Sequence, residues 1–171
     1  KKELTYPMAW GNSPIKNFKK WKKAARVKVF ECMMTPPKAA AVWDMEVLGE
    51  EQRDGYKAQK IAFNINAYSR ITAYLLIPDG KGPFPTVNAL HDHGAHLFIG
   101  KEKMIRPFFT PEEKDAPEKQ ALCQEILDDA DAWAKQLYDN QYVGDYLAKH
   151  GYVVFSADAP MWGERGRKEG V

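Results

Sequence analysis

Apolar residues fall at every second position along two stretches of the chain, Ile61, Phe63, Ile65 and then Ile71, Ala73, Leu75, Ile77. Period two places such residues on one face of a strand, so strands run through the region from Val42 to Ile77. The short connection Tyr68-Ser69-Arg70 makes the last two an antiparallel pair, and Pro78-Asp79-Gly80 with Gly82-Pro83 punctuates the exit. Thr86 to Leu90 is apolar without strong alternation, the signature of a strand covered on both faces, and it is expected near the centre of a sheet. Tyr152 to Ala157, between Gly151 and Asp158, is a further apolar strand.

Elsewhere the period is helical. Ser13-Pro14 supplies a hydroxyl cap and a first-turn proline, and Phe18, Trp21, Ala25, Val29 and Cys32 follow at helical spacing, which predicts a helix over 14–33 ended by Thr35-Pro36-Pro37. Arg106 to Pro117 reads as loop. Leu122, Ile126, Trp133 and Leu137 mark one face of a helix over 118–138, and Tyr142, Val143, Tyr146 and Leu147 mark another over 141–149, with His150 as a C-terminal cap and Gly151 as its left-handed stop. Strand, helix, strand implies a right-handed parallel crossover. The fold class is α/β: an antiparallel strand pair leading into a parallel sheet with flanking helices. Two loops leave the carboxyl ends of its strands, 91–100 and 158–166, the edge where open α/β sheets bind ligands.

Composition narrows the picture. With 171 residues, 44% of them hydrophobic, the chain is one domain or most of one; an amino-terminal extension and helix occupy 1–41, and the α/β part 42–171. A net charge of +2, from 25 basic and 23 acidic side chains, selects neither nucleic acid nor an anionic membrane. Lys16, Lys19, Lys20, Lys22, Lys23, Arg26 and Lys28 read as a solvated helix face because no aromatic residues interleave to stack on bases. Asp128, Asp129 and Asp131 lack the glycine of a calcium loop and also read as solvated. Cys32 and Cys123 read as packing residues. No apolar run approaches the ~20 residues of a membrane span, and Lys1 to Leu4 has no signal-peptide core.

The chemistry concentrates in His91-Asp-His-Gly-Ala-His96. A buried strand ending in a glycine turn holds backbone N–H groups rigidly where the negative charge of an acyl-transfer intermediate develops. Gly94 permits close backbone approach, Ala95 N–H is the candidate oxyanion donor, and His93 orients the turn. Asp92 bonds the turn or a neighbouring histidine, and Asp158 fixes its loop as an acceptor. Glu164 and Arg165 either pair with each other or contact substrate, and Trp162 is a sugar-stacking platform or a loop anchor. Lys101, Glu102 and Lys103 read as exposed. The chain's three serines, Ser13, Ser69 and Ser156, include none in a Gly-x-Ser-x-Gly turn.

The order Pro85-Thr-Val-Asn-Ala-Leu-His-Asp-His-Gly-Ala95, Ile99-Gly-Lys-Glu-Lys-Met104, Gly144-Asp-Tyr-Leu-Ala148, Gly151-Tyr-Val-Val154 and Asp158-x-x-x-Trp-Gly-Glu-Arg-Gly166 resembles the amino-terminal half of bacterial α/β-hydrolases. The nearest branch is the acetyl-xylan-esterase-like and dienelactone-hydrolase-like one, over roughly residues 14–171. The resemblance implies a cofactor-free Ser-His-Asp esterase of acylated carbohydrate or a similar small ester, with a nucleophile elbow after the next strand. None of the three catalytic residues lies in this sequence. The expectation is therefore a fragment, or one piece of a nicked protein, whose partner is the carboxy-terminal half of the hydrolase domain. The residues leave the compartment open; the resemblance points to export into the periplasm. Two alternatives stand beside this reading. His91-x-His93-x-x-His96 also has the spacing of a mononuclear zinc hydrolase, with Ala95 where a second metal's aspartate would stand and the further ligand to be sought at His150 or a carboxylate. A catalytically inactive α/β-hydrolase-like module that binds carbohydrate or a partner is the other.

Overall fold

A computed structural model describes residues 5–33 and 35–166. The chain divides into two compact units, Lys1–Lys38 and Ala39–Val171.

In the first unit, helix α1 covers Phe18–Met33. It starts later than Ser13-Pro14 suggested because Asn17 takes the capping role: its side-chain oxygen accepts from Lys20 N at 3.1 Å, while the Ser13 hydroxyl accepts from Ile15 N in a separate turn. Trp10, Phe18 and Trp21 form a ring cluster with centroids 5.3–5.4 Å apart, and Trp21 Nε1 donates to Met8 O. No α1 residue is fully buried: Trp21 and Ala25 of its apolar stripe are half-buried, and Phe18, Val29 and Cys32 are exposed.

The second unit is a five-stranded sheet with strands β1 (Glu46–Arg53), β2 (Tyr56–Asn66), β3 (Ser69–Pro78), β4 (Thr86–Asn88) and β5 (Val153–Ala157), ordered β1-β2-β3-β5-β4. The antiparallel β2–β3 pair is present, with Ile61 opposite Ala73. β4 and β5 run parallel, Val87 beside Val154, as the crossover requires. The strand expected near the centre of a sheet, β4, has β5 on one side, and among the described residues no strand pairs its other side, where Thr86 and Asn88 are exposed. β5 takes the interior position, paired to β3 on one side and β4 on the other, with Val154 and Ser156 fully buried.

Between β4 and β5 come α2 (Pro111–Asp115), α3 (Pro117–Leu137) and α4 (Val143–Lys149). α2 lies in the stretch expected to be loop. It forms because Thr110 and Glu113 make a reciprocal capping box and Pro111 occupies the first turn. α3 buries Ile126, Ala130 and Ala134 along one stripe beside Ile99 and Phe109, whereas Leu137, expected on that face, is exposed. The α4 stop is as expected, with Gly151 at φ +90° and the His150 ring bonded to Tyr146 O. One side of the sheet packs Tyr56, Tyr74, Leu76 and Val154 against Ile105, Phe108 and Ala148, and Ile61, Phe63 and Ala73 form a second cluster with Leu75 and Phe155.

Candidate functional site

Both loops of interest leave the carboxyl ends of the parallel strands, 91–100 after β4 and 158–166 after β5, and direct bonds tie them together. His91 Nε2 accepts from Ala159 N at 3.0 Å while its Nδ1 donates to Asp92 O at 2.9 Å, an arrangement that fits the neutral ring with its proton on Nδ1. Gly163 N donates to Leu97 O at 2.9 Å. The third tie is ionic. Lys101, in a single 3-10 turn over Lys101–Lys103, reaches Glu102 and Asp158 at 2.9 Å and Glu164 at 3.2 Å.

That turn corrects the expectation of exposure, since Lys101, Glu102 and Lys103 are only 0–1% exposed. A charged turn is stable inside because partners surround it. Asp158 accepts from Lys101 N at 2.6 Å, from Lys101 Nζ and from Glu164 N at 3.1 Å, the loop-fixing role expected of it. Lys60, on the same strand face as buried Ala58 and Ala62, pairs with Glu113 and Glu164 at 2.6 Å each, and the Thr72 hydroxyl donates to Glu164. Burial pushes the Glu164 carboxyl up, but Lys101 and Lys60 outweigh it and hold the group far below the usual carboxylate range. Burial likewise works against the Lys101 ammonium, yet Glu102, Glu164 and Asp158 together raise it well above its ordinary value. The Asp158 carboxyl sits above its ordinary value because burial outweighs the pull of Lys101. Glu164 and Arg165 do not pair with each other; Arg165 Nη1 donates to Asp158 O. Gly100 and Gly163 are required here, since a Cβ at either would strike the Asp158 carboxylate.

The histidine turn sits on a second scaffold. Gly94 and Ala95 both adopt left-handed φ, +49° and +51°, and both are exposed. A Cβ on Gly94 would run into the Trp133 ring, which stacks on His96 at 5.5 Å. Tyr138 and Trp133 donate to the Asp92 carboxylate at 2.6 and 3.3 Å, so Asp92 anchors the turn to α3 rather than to a histidine. Burial raises the Asp92 carboxyl, but those two donors and nearby Lys103 outweigh it and keep it below its ordinary value. Lys103 donates to His93 O at 3.2 Å and lies 4.4 Å over the Trp133 ring. His96 Nε2 meets Asp129 at 2.7 Å and Tyr142 donates to Asp131, so two of the three α3 aspartates hold neighbouring segments instead of facing only solvent. Ala95 N donates to His93 Nδ1 at 3.0 Å, so the candidate oxyanion amide carries a partner from its own turn.

The histidines of the zinc alternative turn to separate partners. His91 uses both nitrogens on backbone groups, His93 faces Ala95 and His96 faces Asp129, while His150 bonds Tyr146 at the end of α4. Among the described residues no group of three or more histidine, cysteine or acidic side chains is placed to hold a metal ion. Trp162 packs as an anchor between the rings of His91 and His93, with centroids 5.7 and 5.0 Å away, and its buried Nε1 has no acceptor among the described residues.

A cavity of about 1060 Å³ opens on the other side of the ionic cluster, with Lys60, Thr72, Phe109, Glu113, Glu164 and Arg165 on its walls. The predicted residues therefore fall into two places: Glu164 and Arg165 line the cavity, whereas His93, Gly94 and Ala95 do not. Lys60 and Lys101 were missed from sequence. The available signal for Lys60 was parity, a lysine between two alanines on the inward face of a strand; for Lys101 no local signal exists.

The residue pattern of the Abhydrolase family matches residues 7–169. A crystal structure from Bacteroides fragilis NCTC 9343, provisionally named an acetyl xylan esterase, shares the fold with a TM-score of 0.57 at 24% identity over 90% of this chain. The chain spans 33% of the length of that structure. No curated protein matches.

Proposed function

Because the chain belongs to the Abhydrolase family of α/β-hydrolases, we propose that it forms the oxyanion turn and one cleft wall of a serine-type carboxylic-ester hydrolase. Residues 42–171 contribute the amino-terminal half of the hydrolase domain, preceded by an extension over 1–41. The observation that carries this reading is the clamped pair of glycine-rich loops at the strand ends, with the left-handed Gly94–Ala95 backbone held open to solvent above it. Such a turn presents main-chain donors on a rigid base, as stabilisation of a tetrahedral oxyanion requires.

A serine from outside these 171 residues attacks the acyl carbon, Ala95 N–H helps to hold the oxyanion, and water releases the acid from the acyl-enzyme. His93 orients the donor. The ester is an acylated carbohydrate in keeping with the name of the Bacteroides fragilis structure, with Glu164 and Arg165 of the 158–166 loop as its candidate contacts. Trp162 supports that loop. The engagement of Ala95 N–H by His93 favours a second reading, an inactive binding module of the same fold.

A serine-directed fluorophosphonate separates the two. The complete gene product is expected to be labelled and to hydrolyse p-nitrophenyl acetate, while the 171-residue chain alone is expected to do neither. A complete product that remains unlabelled and inert removes the esterase reading, and turnover by this chain alone removes the external serine.

A further inference from the structure

The amide proposed to receive the oxyanion is already bonded. Ala95 N–H points at His93 Nδ1 at 3.0 Å, the contact closes within one exposed turn, and His93 and Ala95 are both open to solvent. We propose that His93 is a latch on this donor: its neutral ring caps the Ala95 amide at rest, and the cap is lifted either by an anionic oxygen that outcompetes the ring or by protonation of Nδ1. This rests on the reading of the Gly94–Ala95 turn as the donor site.

Three features support it. First, the bond depends on one ring lone pair, and an imidazolium carries N–H at both nitrogens, so a proton on Nδ1 ends the contact outright. Second, the main chain under the latch is held independently of the ring: Lys103 holds His93 O at 3.2 Å and the Asp92 carboxylate is tied to Tyr138 and Trp133, so release requires rotation of the His93 ring away from its edge contact with Trp162 and no movement of the backbone. Third, the competition sorts ligands by charge. A hydrogen bond to an anionic oxygen is roughly twice as strong as a neutral one, so a tetrahedral oxyanion displaces the imidazole where a neutral ester carbonyl gains little by doing so. A donor capped in this way separates an oxyanion from a neutral carbonyl, and the cap that must be given up is subtracted from the binding of either. The charged and titratable groups facing His93 are Lys103 beneath its carbonyl, neighbouring Asp92, and His91, which shares the Trp162 ring.

Nitrogen-15 NMR on the 171-residue chain tests the latch without any activity. At neutral pH, His93 is expected to carry its proton on Nε2 with Nδ1 bare, and the Ala95 amide shift is expected to move in step with protonation of the His93 ring. His93→Ala should abolish that coupled shift and speed Ala95 amide exchange about fivefold, the loss of one ordinary hydrogen bond. His93→Asn is the control that keeps an acceptor at the same spacing without a titratable ring; it should retain slow exchange and show no pH response. A protonated Nδ1 at neutral pH, or an Ala95 amide indifferent to the ring's titration, overturns the proposal. In the complete gene product, His93→Ala should tighten a boronate about fivefold, since the boronate no longer has to displace the cap, and an unchanged boronate affinity also overturns it. If the NMR results hold and the complete product hydrolyses no ester, the latch stands and the esterase reading alone falls.

Discussion

Lys101 is fully buried, and three carboxylates reach its ammonium group within 3.2 Å. Replacing it leaves Glu102, Asp158 and Glu164 facing one another without that counter-ion, so Lys101→Met is expected to cost about 3–5 kcal/mol, the usual penalty for breaking a buried pair from one side. Urea unfolding of the 171-residue chain measures it; a cost below about 1 kcal/mol means that the cluster is hydrated in solution. The pH dependence of stability has a definite sign at each residue. The Glu164 carboxyl is depressed in the fold, so its contribution is complete above its unfolded value near ~4.3 and is lost as pH falls. Asp158 is shifted up and acts oppositely: mild acid removes a charge that the fold disfavours. Lys101 is raised, so its contribution is complete below its unfolded value near ~10.4 and is lost only as pH rises through the elevated folded one. Circular dichroism against pH should therefore show a plateau through neutrality with losses at both extremes, and Lys101→Met should shrink the loss on the alkaline side, leaving the part due to Tyr74, whose buried hydroxyl is also held well above its ordinary value.

At the scale of elements, the short helix α2 connects a cap to the ionic cluster. Thr110 Oγ1 accepts from Glu113 N while Glu113 accepts from Thr110 N and also pairs with Lys60. Thr110→Ala is expected to lower stability by about 1 kcal/mol, the worth of an N-cap, and to loosen Glu113 from Lys60. Thermal unfolding gives the first quantity, and the Lys60 ammonium signal in NMR reports the second; an unchanged melting temperature would show that α2 does not depend on its box. Pro111 and the Thr110/Glu113 spacing were visible in the sequence. They went unread as a helix because five residues are too few for a periodic apolar stripe.

Over the molecule as a whole, the Ala39–Val171 unit carries an open apolar depression of about 340 Å³ lined by Trp43, Met45, Ile61, Phe63, Leu75 and Phe155. Trp43 and Met45 are each 59% exposed there. Contiguous apolar surface of this kind drives association, so the isolated chain should self-associate with rising concentration in sedimentation velocity, and Trp43→Glu should shift it toward monomer. A chain that stays monomeric at high concentration rejects that use of the patch. What the sequence by itself determined were properties carried by short-range periodicity and turn chemistry: the β2–β3 pair, the parallel crossover, the two glycine-rich loops and the family they mark. Each follows from neighbours a few residues apart. Only the tertiary structure decided that Lys101 to Lys103 are buried, that Lys60 meets Glu164 across 104 positions, that β5 lies between β3 and β4, and that the three histidines turn to separate partners. The energy of a charge depends on which distant groups the fold brings to it, and no local pattern encodes that distance.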